Sequence, residues 1–563
     1  MPKRGKESIA GGKPCGIISK NNRKQVSNLL ERKRQSLHTQ KDYLCELYNV
    51  DSAQKQRRME KEIKRALVSV YHKDGLDEIL KMLHQAGVEL VSTGGTEAYI
   101  RSQGYPCTAV EQLTEYPEML DGRVKTLHPK IFGGILAVRD DAGHQADVAS
   151  HKLPLIDLVI VDLYPFVDTV ASGASAEDII EKIDIGGISL IRAAAKNYKD
   201  VIIVASKDQY PALRSLLEDK HGKSNEAERR WFAKEAFAVS SAYDAAIFGY
   251  FDEGRLSHLR IAEDTQRMLR YGENPHQRGM FYGDLDTVFD KIQGKDLSYN
   301  NLQDLEAGLG LIDEFTAPTF AILKHGNACG IASRETVSEA WQAALAADPV
   351  SAFGGILVCN SPIDEETAKE IDKLFFELIV APDYETEALT HLTRKSNRII
   401  LSRKSHTQPE WQLRSMLGGM LVQERDSVSE TTEQMQTVTS QSPSEDELVD
   451  LVFAAKVVKH SKSNAISLVK DSRLLASGVG QTSRVDALCQ AIEKARSFGF
   501  DLQGAVMSSD AFFPFPDCVE IAAKAGISAI VQPGGSVKDQ LSIDKANELG
   551  VAMVFTGLRH FKH

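Results

Sequence analysis

The chain has 563 residues, 42% hydrophobic and 26% charged, with 78 acidic side chains against 67 basic ones and a formal net charge of −11. That length exceeds what one hydrophobic core spans, so at least two or three domains are expected, and the acidic balance argues against a nucleic-acid partner for the whole molecule. No apolar run approaches the roughly 18 residues of a membrane helix, and seven cysteines scattered without a C-x-x-C pair suit a reducing compartment, so the expectation is a cytoplasmic protein with no membrane partner.

Residues 1–64 stand apart. Up to Arg65 the chain carries 17 Lys+Arg against 7 Asp+Glu, and the segment reads as a basic extension, disordered or loosely helical, with a targeting presequence, a nucleic-acid arm or an over-called start codon as alternatives. From Ala66 the pattern changes to short apolar runs alternating with helical periodicity, as α/β units do. Ala66 to Val70 predicts a strand, Gly75 to Ala86 an amphipathic helix and Val88 to Val91 a second strand. The turn Ser92-Thr93-Gly94-Gly95-Thr96 then offers hydroxyls, close backbone approach and free helix N–H groups, which suit a phosphate.

Arg123-Val124-Lys125-Thr126-Leu127-His128-Pro129 concentrates anion-binding chemistry in one short segment: arginine as a planar fork, lysine as a compact charge able to act as acid or base. Asp157 to Leu163 is a near-continuous apolar run, the mark of an interior parallel strand, ended by Tyr164-Pro165. Strand carboxyl ends face the ligand crevice in such sheets, so Tyr164 has a positional reason to lie in a site. A helix covers Trp231 to Tyr250, and Arg270-Tyr271-Gly272-Glu273-Asn274-Pro275-His276-Gln277 opens a second architecture. A polar, Ser/Thr/Gln/Glu-rich stretch at 423–447 separates two apolar blocks. These blocks share short matches that suggest a duplication: Lys324-His325-Gly326-Asn327 beside Lys459-His460-Ser461-Lys462-Ser463-Asn464, and Ser351 to Gly355 beside Ser509 to Pro514.

Together with Ile183-Asp184-Ile185-Gly186-Gly187 and Arg192-Ala193-Ala194-Ala195-Lys196-Asn197, the Arg123 segment and Tyr164-Pro165-Phe166 resemble the cyclohydrolase half of the bifunctional enzymes that make inosine monophosphate (IMP). The chain beyond 260 resembles their other half, aminoimidazole carboxamide ribonucleotide (AICAR) transformylase. The resemblance implies an α/β protein: an N-terminal methylglyoxal-synthase-like doubly wound parallel sheet, then two tandem cytidine-deaminase-like α/β units. The domains follow as the extension at 1–64, cyclohydrolase at 65–258, a transformylase subdomain at 259–422, a linker at 423–447 and a second subdomain at 448–563. Substrates would be AICAR, formyl-AICAR and the co-substrate 10-formyltetrahydrofolate, with no tightly bound cofactor, a homodimer as the assembly and a monovalent cation left open. Neither the H-x-E nor the P-C-x-x-C motif of zinc deaminases is present, so no metal is expected.

For ring closure the resemblance assigns Lys125, Tyr164, Asp184 and Lys196 as catalytic groups, with Arg123 and Thr126 beside them and Ser69, Lys73, Thr93, Gly95 and Thr96 cradling the phosphate. For formyl transfer it assigns His325 as base and Lys324 as oxyanion stabiliser or acid, because a poorly nucleophilic amine benefits from both. Arg270 and Tyr271 become ribonucleotide contacts, Asn464 a carboxamide or folate contact, and Arg559 a phosphate ligand with His563 as helper to the base. Arg484, Phe513 and Asp517 would bind phosphate and a flat pterin, the phenyl face by stacking. Rival readings are an enzyme with one working half and a non-catalytic nucleotide sensor, against which the joint presence of Lys324-His325 and the Lys125 set argues.

Overall fold

The computed structural model describes residues 60–563 except Asp121, and the extension expected at 1–64 lies outside the described residues up to position 59. The described chain divides into two compact units between Glu263 and Asp264.

The first unit begins with β1 (Lys61–Glu62), which pairs antiparallel with β7 (Lys223–Ser224). Residues 61–62 are therefore part of the folded unit rather than of a disordered extension, because their backbone groups find strand partners. Its main sheet has the order β4-β3-β2-β5-β6, all parallel, from β2 (Arg65–Ser69), β3 (Glu89–Ser92), β4 (Thr108–Ala109), β5 (Leu158–Val161) and β6 (Ile202–Val204). Strand residues alternate between two cores. Ala66, Val68, Leu158, Ile160 and Ile202 join Leu76, Ile79, Leu80 and Leu83 of α1 (Leu76–Gln85) on one face. Leu67, Val159, Val161 and Ile203 meet Leu190, Ile191 and Ala194 of α3 (Ile185–Lys196) and Ala233 and Ala236 of α4 (Glu226–Asp252) on the other. A further helix, α2 (Gly94–Ser102), starts directly from the carboxyl end of β3. Burial on both faces explains why β5 is apolar at every position.

The second unit opens with a small hairpin, β8 (Gln266–Met268) and β9 (Met280–Tyr282), and is built on one twelve-stranded mixed sheet. In chain order its strands are β10 (Phe289–Gln293), β11 (Thr319–Lys324), β12 (Asn327–Ser333), β13 (Ile356–Cys359), β14 (Leu378–Ala381) and β15 (Ile399–Arg403). After a separate ribbon of β16 (Trp411–Met416) and β17 (Gly419–Glu424) come β18 (Gln436–Thr437), β19 (Ile466–Lys470), β20 (Arg473–Gly478), β21 (Val506–Ser509), β22 (Ala529–Gln532) and β23 (Ala552–Phe555). The order β10-β15-β14-β13-β11-β12-β20-β19-β21-β22-β23-β18 reads the same from either edge, with β12 and β20 joined at the centre through Ala332 and Arg473. Strand directions repeat too: an antiparallel hairpin, an antiparallel neighbour, two parallel steps and an antiparallel edge strand.

Helices obey the same duplication. α5 (Tyr299–Ile312) precedes the first hairpin as α9 (Glu445–Lys459) precedes the second, and both lie in one core that spans the two halves. On the opposite face α6 (Val337–Ala347), α7 (Glu365–Asp372) and α8 (Thr386–Leu392) pack one core; α10 (Arg484–Ser497), α11 (Asp517–Ala525) and α12 (Asp539–Leu549) pack another.

The topology corrects the sequence matches that suggested duplication. Lys324 ends a strand, whereas Lys459 ends a helix, so the two Lys-His pairs occupy different places in the repeat. Nor is 423–447 a plain linker: it contains the end of β17, the sheet strand β18 and the start of α9.

Candidate active sites

In the first unit the candidate groups collect where the parallel strands end. Ser69 closes β2, and Lys73 follows it, donating to Thr96 Oγ1 (3.0 Å) and to the Val70 carbonyl. Thr96 Oγ1 also donates to Val70 O at 2.9 Å, so its hydroxyl ties the turn to the strand. Thr93 is the N-cap of α2 and is buried, and open space lies where a side chain on Gly95 would stand. Gly94 has φ +54°, and a methyl group there would lie 3.3 Å from Lys125 Nζ, which brings Lys125 to the positive end of α2. Burial lowers the Lys73 ammonium from its ordinary range, against the pull of Asp162. Lys125 pairs with Glu118 at 3.1 Å, and Arg123 with Glu181.

Asp184 caps α3, accepting from the Gly187 amide at 2.6 Å, while its own amide donates to Tyr243 Oη at 2.9 Å. Burial raises its carboxyl and Asp162 adds to the rise, more than the Gly187, Gly186 and Tyr164 amides offset. Thr126 Oγ1 lies 3.4 Å from where a Gly186 side chain would begin, so the Arg123 segment packs on the same helix end. Tyr164 is 42% exposed, its ring edge-on to Tyr71 at 5.7 Å, with Lys182 Nζ 5.8 Å above it. Lys196 does not join them. It is the last residue of α3, about 18 Å along the axis from the Asp184 cap at 1.5 Å per residue.

One group, Asp162, escaped sequence reading. Asp162 accepts from the Tyr71 and His72 amides and from His72 Nδ1 (2.9 Å), fixing the loop that follows β2. An acid ending an otherwise apolar strand was the available signal.

In the second unit the polar groups meet at the central edge of the sheet. Lys324 and Asn327 pair across the β11–β12 hairpin, leaving His325 (φ +55°) and Gly326 (φ +74°) as its two corner residues. Lys324 Nζ donates to Phe353 O at 2.8 Å. Asn327 Oδ1 accepts from the Lys462 amide at 3.0 Å, which brings in the segment that contains Asn464. Asn464 Nδ2 donates to Gln481 O at 2.9 Å, and Arg484 lies 3.4 Å from buried Asp510. Burial raises the Asp510 carboxyl despite Arg484 and its other donors.

The last residues are docked rather than frayed. Ser463 N donates to Lys562 O (2.8 Å) and Lys562 N to Ser463 Oγ (3.0 Å). Phe561 lies under Arg559 (4.5 Å) and Arg484 (5.8 Å) and 5.4 Å from the His563 ring. His560 is held by Asp426 (2.7 Å) and Glu430 (3.1 Å), whose hydrogen bonds outweigh burial and raise it to about 9.

Arg270 stands over the Tyr271 ring at 5.5 Å and reaches Asn301 Oδ1 (3.3 Å) and Glu377 (3.4 Å). Phe513 contradicts its expected role: it is 0% exposed within the α10–α11 core and offers no face to a ligand. Asp517 is exposed and accepts from the Cys518 amide at 2.8 Å. The exposed aromatic faces near Lys324 belong instead to Phe353 (58%) and Phe375 (49%), 5.1 Å apart. No group of three or more His, Cys, Asp or Glu suited to a metal occurs among the described residues.

Comparisons with known proteins agree with this two-part construction. Residues 75–189 match the MGS-like domain model and residues 194–494 the AICARFT/IMPCHase bienzyme model. The chain is 64% identical over 503 residues to the bifunctional purine biosynthesis protein PurH of Bacteroides thetaiotaomicron, covering 89% of this chain and 99% of that one. The Rhodospirillum rubrum PurH is 47% identical over 521 residues and the Aquifex aeolicus PurH 45% over 512, each across 89% of this chain and at least 99% of its own length. An MGS-like parallel-sheet unit followed by a large mixed-sheet unit, similar over nearly their full length to these relatives, places the chain in the family of PurH bifunctional purine biosynthesis proteins, the AICAR transformylase/IMP cyclohydrolase bienzymes.

Proposed function

We propose that the two activities of this bienzyme are divided between the two units, cyclohydrolase in the first (65–258) and folate-dependent formyl transfer in the second, built from tandem deaminase-like subdomains at 259–422 and 448–563. The observation that carries this division is the presence of two separate polar clusters, each at strand ends of its own sheet.

In formyl transfer the 5-amino nitrogen of AICAR attacks the formyl carbon of 10-formyltetrahydrofolate. The carbonyl oxygen takes negative charge, the amine loses a proton, and the bond to N10 breaks as N10 gains a proton. His325, at an exposed hairpin corner, takes the amine proton, and Lys324 stabilises the oxyanion. Arg270, Tyr271, Arg484 and Arg559 supply the cationic and aromatic contacts for the ribonucleotide, with Asn464 and His563 beside them. Phe353 and Phe375 replace Phe513 as the aromatic faces for the pterin.

In ring closure the carboxamide nitrogen attacks the formyl carbon of the same molecule and water departs. Lys125 and Arg123 bind charge on the phosphate and the oxyanion. Tyr164 and Asp184 move protons, a role that the raised Asp184 carboxyl supports, since burial makes it hold its proton more readily than an ordinary carboxylate. Ser69, Lys73, Thr93, Gly95 and Thr96 cradle the phosphate at the start of α2. Lys196 is left out of this set within one chain, and no monovalent cation is given a role in either step.

A homodimer is part of the proposal. The isolated β16–β17 ribbon exposes Leu413, Met416, Leu417, Met420 and Leu421, and a two-stranded ribbon of that character is marginal without a covering surface. A cytoplasmic location is supported by the five free cysteines among the described residues.

The test is to mix protein with AICAR and 10-formyltetrahydrofolate and follow tetrahydrofolate and IMP together. Both should accumulate in step. Tetrahydrofolate without IMP would leave the second unit alone active, and nucleotide binding without turnover would favour the sensor.

A further inference from the structure

Asp304 is a buried acid that none of the steps above uses. It lies in α5, three residues after Asn301, and residues at that spacing share one face of a helix. From that face Asn301 Oδ1 accepts from Arg270 at 3.3 Å, and Asp304 Oδ1 accepts from the Gly326 amide at 2.5 Å. One helical turn thus touches both the candidate ribonucleotide arginine and the corner that carries the candidate base.

The corner needs such a hold. A two-residue hairpin turn with positive φ at both positions suits glycine at 326, but at His325 the left-handed backbone brings Cβ close to the following carbonyl and is disfavoured. Asn327 holds the turn from the sheet side, donating to His325 O at 3.1 Å while accepting from the Lys462 amide. Asp304 holds it from the helix side. Burial raises the Asp304 carboxyl, the Gly326 amide and the charges of His325 and Lys462 lower it, and Glu377 adds to the rise.

We propose that Asp304 is a positioning residue for formyl transfer: by accepting from the Gly326 amide it fixes the His325 corner in register with the Arg270 contact carried by the same helix. The proposal rests on the assignment of His325 as base. An asparagine at 304 keeps the acceptor oxygen and an alanine removes it, so the hydrogen bond can be separated from the charge.

The experiment measures steady-state formyl transfer, with kcat and KM for AICAR and for 10-formyltetrahydrofolate, in the full chain carrying Asp304→Ala, Asp304→Asn, His325→Ala and the Asp304→Ala/His325→Ala pair. Cyclisation of supplied formyl-AICAR is followed in parallel as a reaction of the other unit. Asp304→Ala should lose about 10- to 100-fold in kcat, the scale of an ångström misplacement of a reacting group, with both KM values within about twofold. Asp304→Asn should stay within about threefold of wild type, and Asp304→Ala should add less than about twofold to the loss in His325→Ala, because both act through one group. Cyclisation should be unchanged throughout. Wild-type kcat in Asp304→Ala, equal losses in Asp304→Ala and Asp304→Asn, or fully multiplicative losses in the pair would overturn the positioning role. Wild-type kcat in His325→Ala would overturn the base assignment itself, and the positioning role with it, an outcome separate from the other three.

Discussion

The two units reach a polar site by different routes. In the first, the gathered candidates from Ser69 to Asp184 come from strand ends of one parallel sheet, from loops, and from the starts of α2 and α3. In the second, two copies of one strand pattern join edge to edge, and the site forms at the seam: Asn327 of the first copy accepts from Lys462, which precedes the second. A parallel sheet tells the sequence reader where its crevice lies. A seam between duplicated halves does not, because the groups that meet are more than a hundred residues apart and the two halves contribute different chemistry from non-equivalent positions.

That contrast can be tested most severely at Asp184. Replacement by Asn keeps the cap on α3, since asparagine caps as well as aspartate, but removes the titrating proton. Cyclohydrolase kcat should fall by about 10²- to 10⁴-fold with formyl transfer and thermal stability unchanged. A melting temperature that falls with both activities would make Asp184 a structural cap and nothing more.

Phe513 sharpens the seam. As a fully buried core residue its truncation to Ala should cost about 3 to 5 kcal/mol in urea unfolding of the second unit, whereas Phe353→Ala should raise the folate KM with little loss of stability. The reverse pattern would restore Phe513 as the stacking face. Asp517→Asn, on an exposed helix start, should leave stability nearly unchanged.

A smaller effect is expected at His560. Its folded-state pKa is raised to about 9, above the ordinary 6.5, so the charged histidine stabilises the fold fully below about pH 6.5 and that contribution is lost as pH rises through 9. The difference in melting temperature between wild type and His560→Gln should be greatest near pH 6 and fade by pH 9 to 10. A difference that grows with pH would show that the histidine is buried neutral.

How much of this was legible follows from the same contrast. Strands at 66–70 and 157–163 and the turn at 92–96 could be read because apolar runs and glycine positions have local causes. Asp162 was hidden inside an apolar run, and Lys196 was grouped with Asp184 by the family resemblance, which does not show that the full length of α3 lies between them. In the second unit the Lys324-His325 pair was legible as chemistry, but its partners were not. Phe513 looked like a stacking face because an aromatic in a polar motif reads the same whether its ring points out or into the core. The repeat itself was sensed through Lys-His matches that proved topologically unequal; its evidence lies in strand order, which side-chain identity does not record.

The most direct test of the two-site account is a swap of defects. Lys324→Ala and Lys125→Ala are each assayed with AICAR plus 10-formyltetrahydrofolate and, separately, with supplied formyl-AICAR. The account predicts that Lys324→Ala releases no tetrahydrofolate yet closes supplied formyl-AICAR to IMP at the wild-type rate, and that Lys125→Ala releases tetrahydrofolate and accumulates formyl-AICAR without IMP. Parallel loss of both reactions in either folded variant would contradict it.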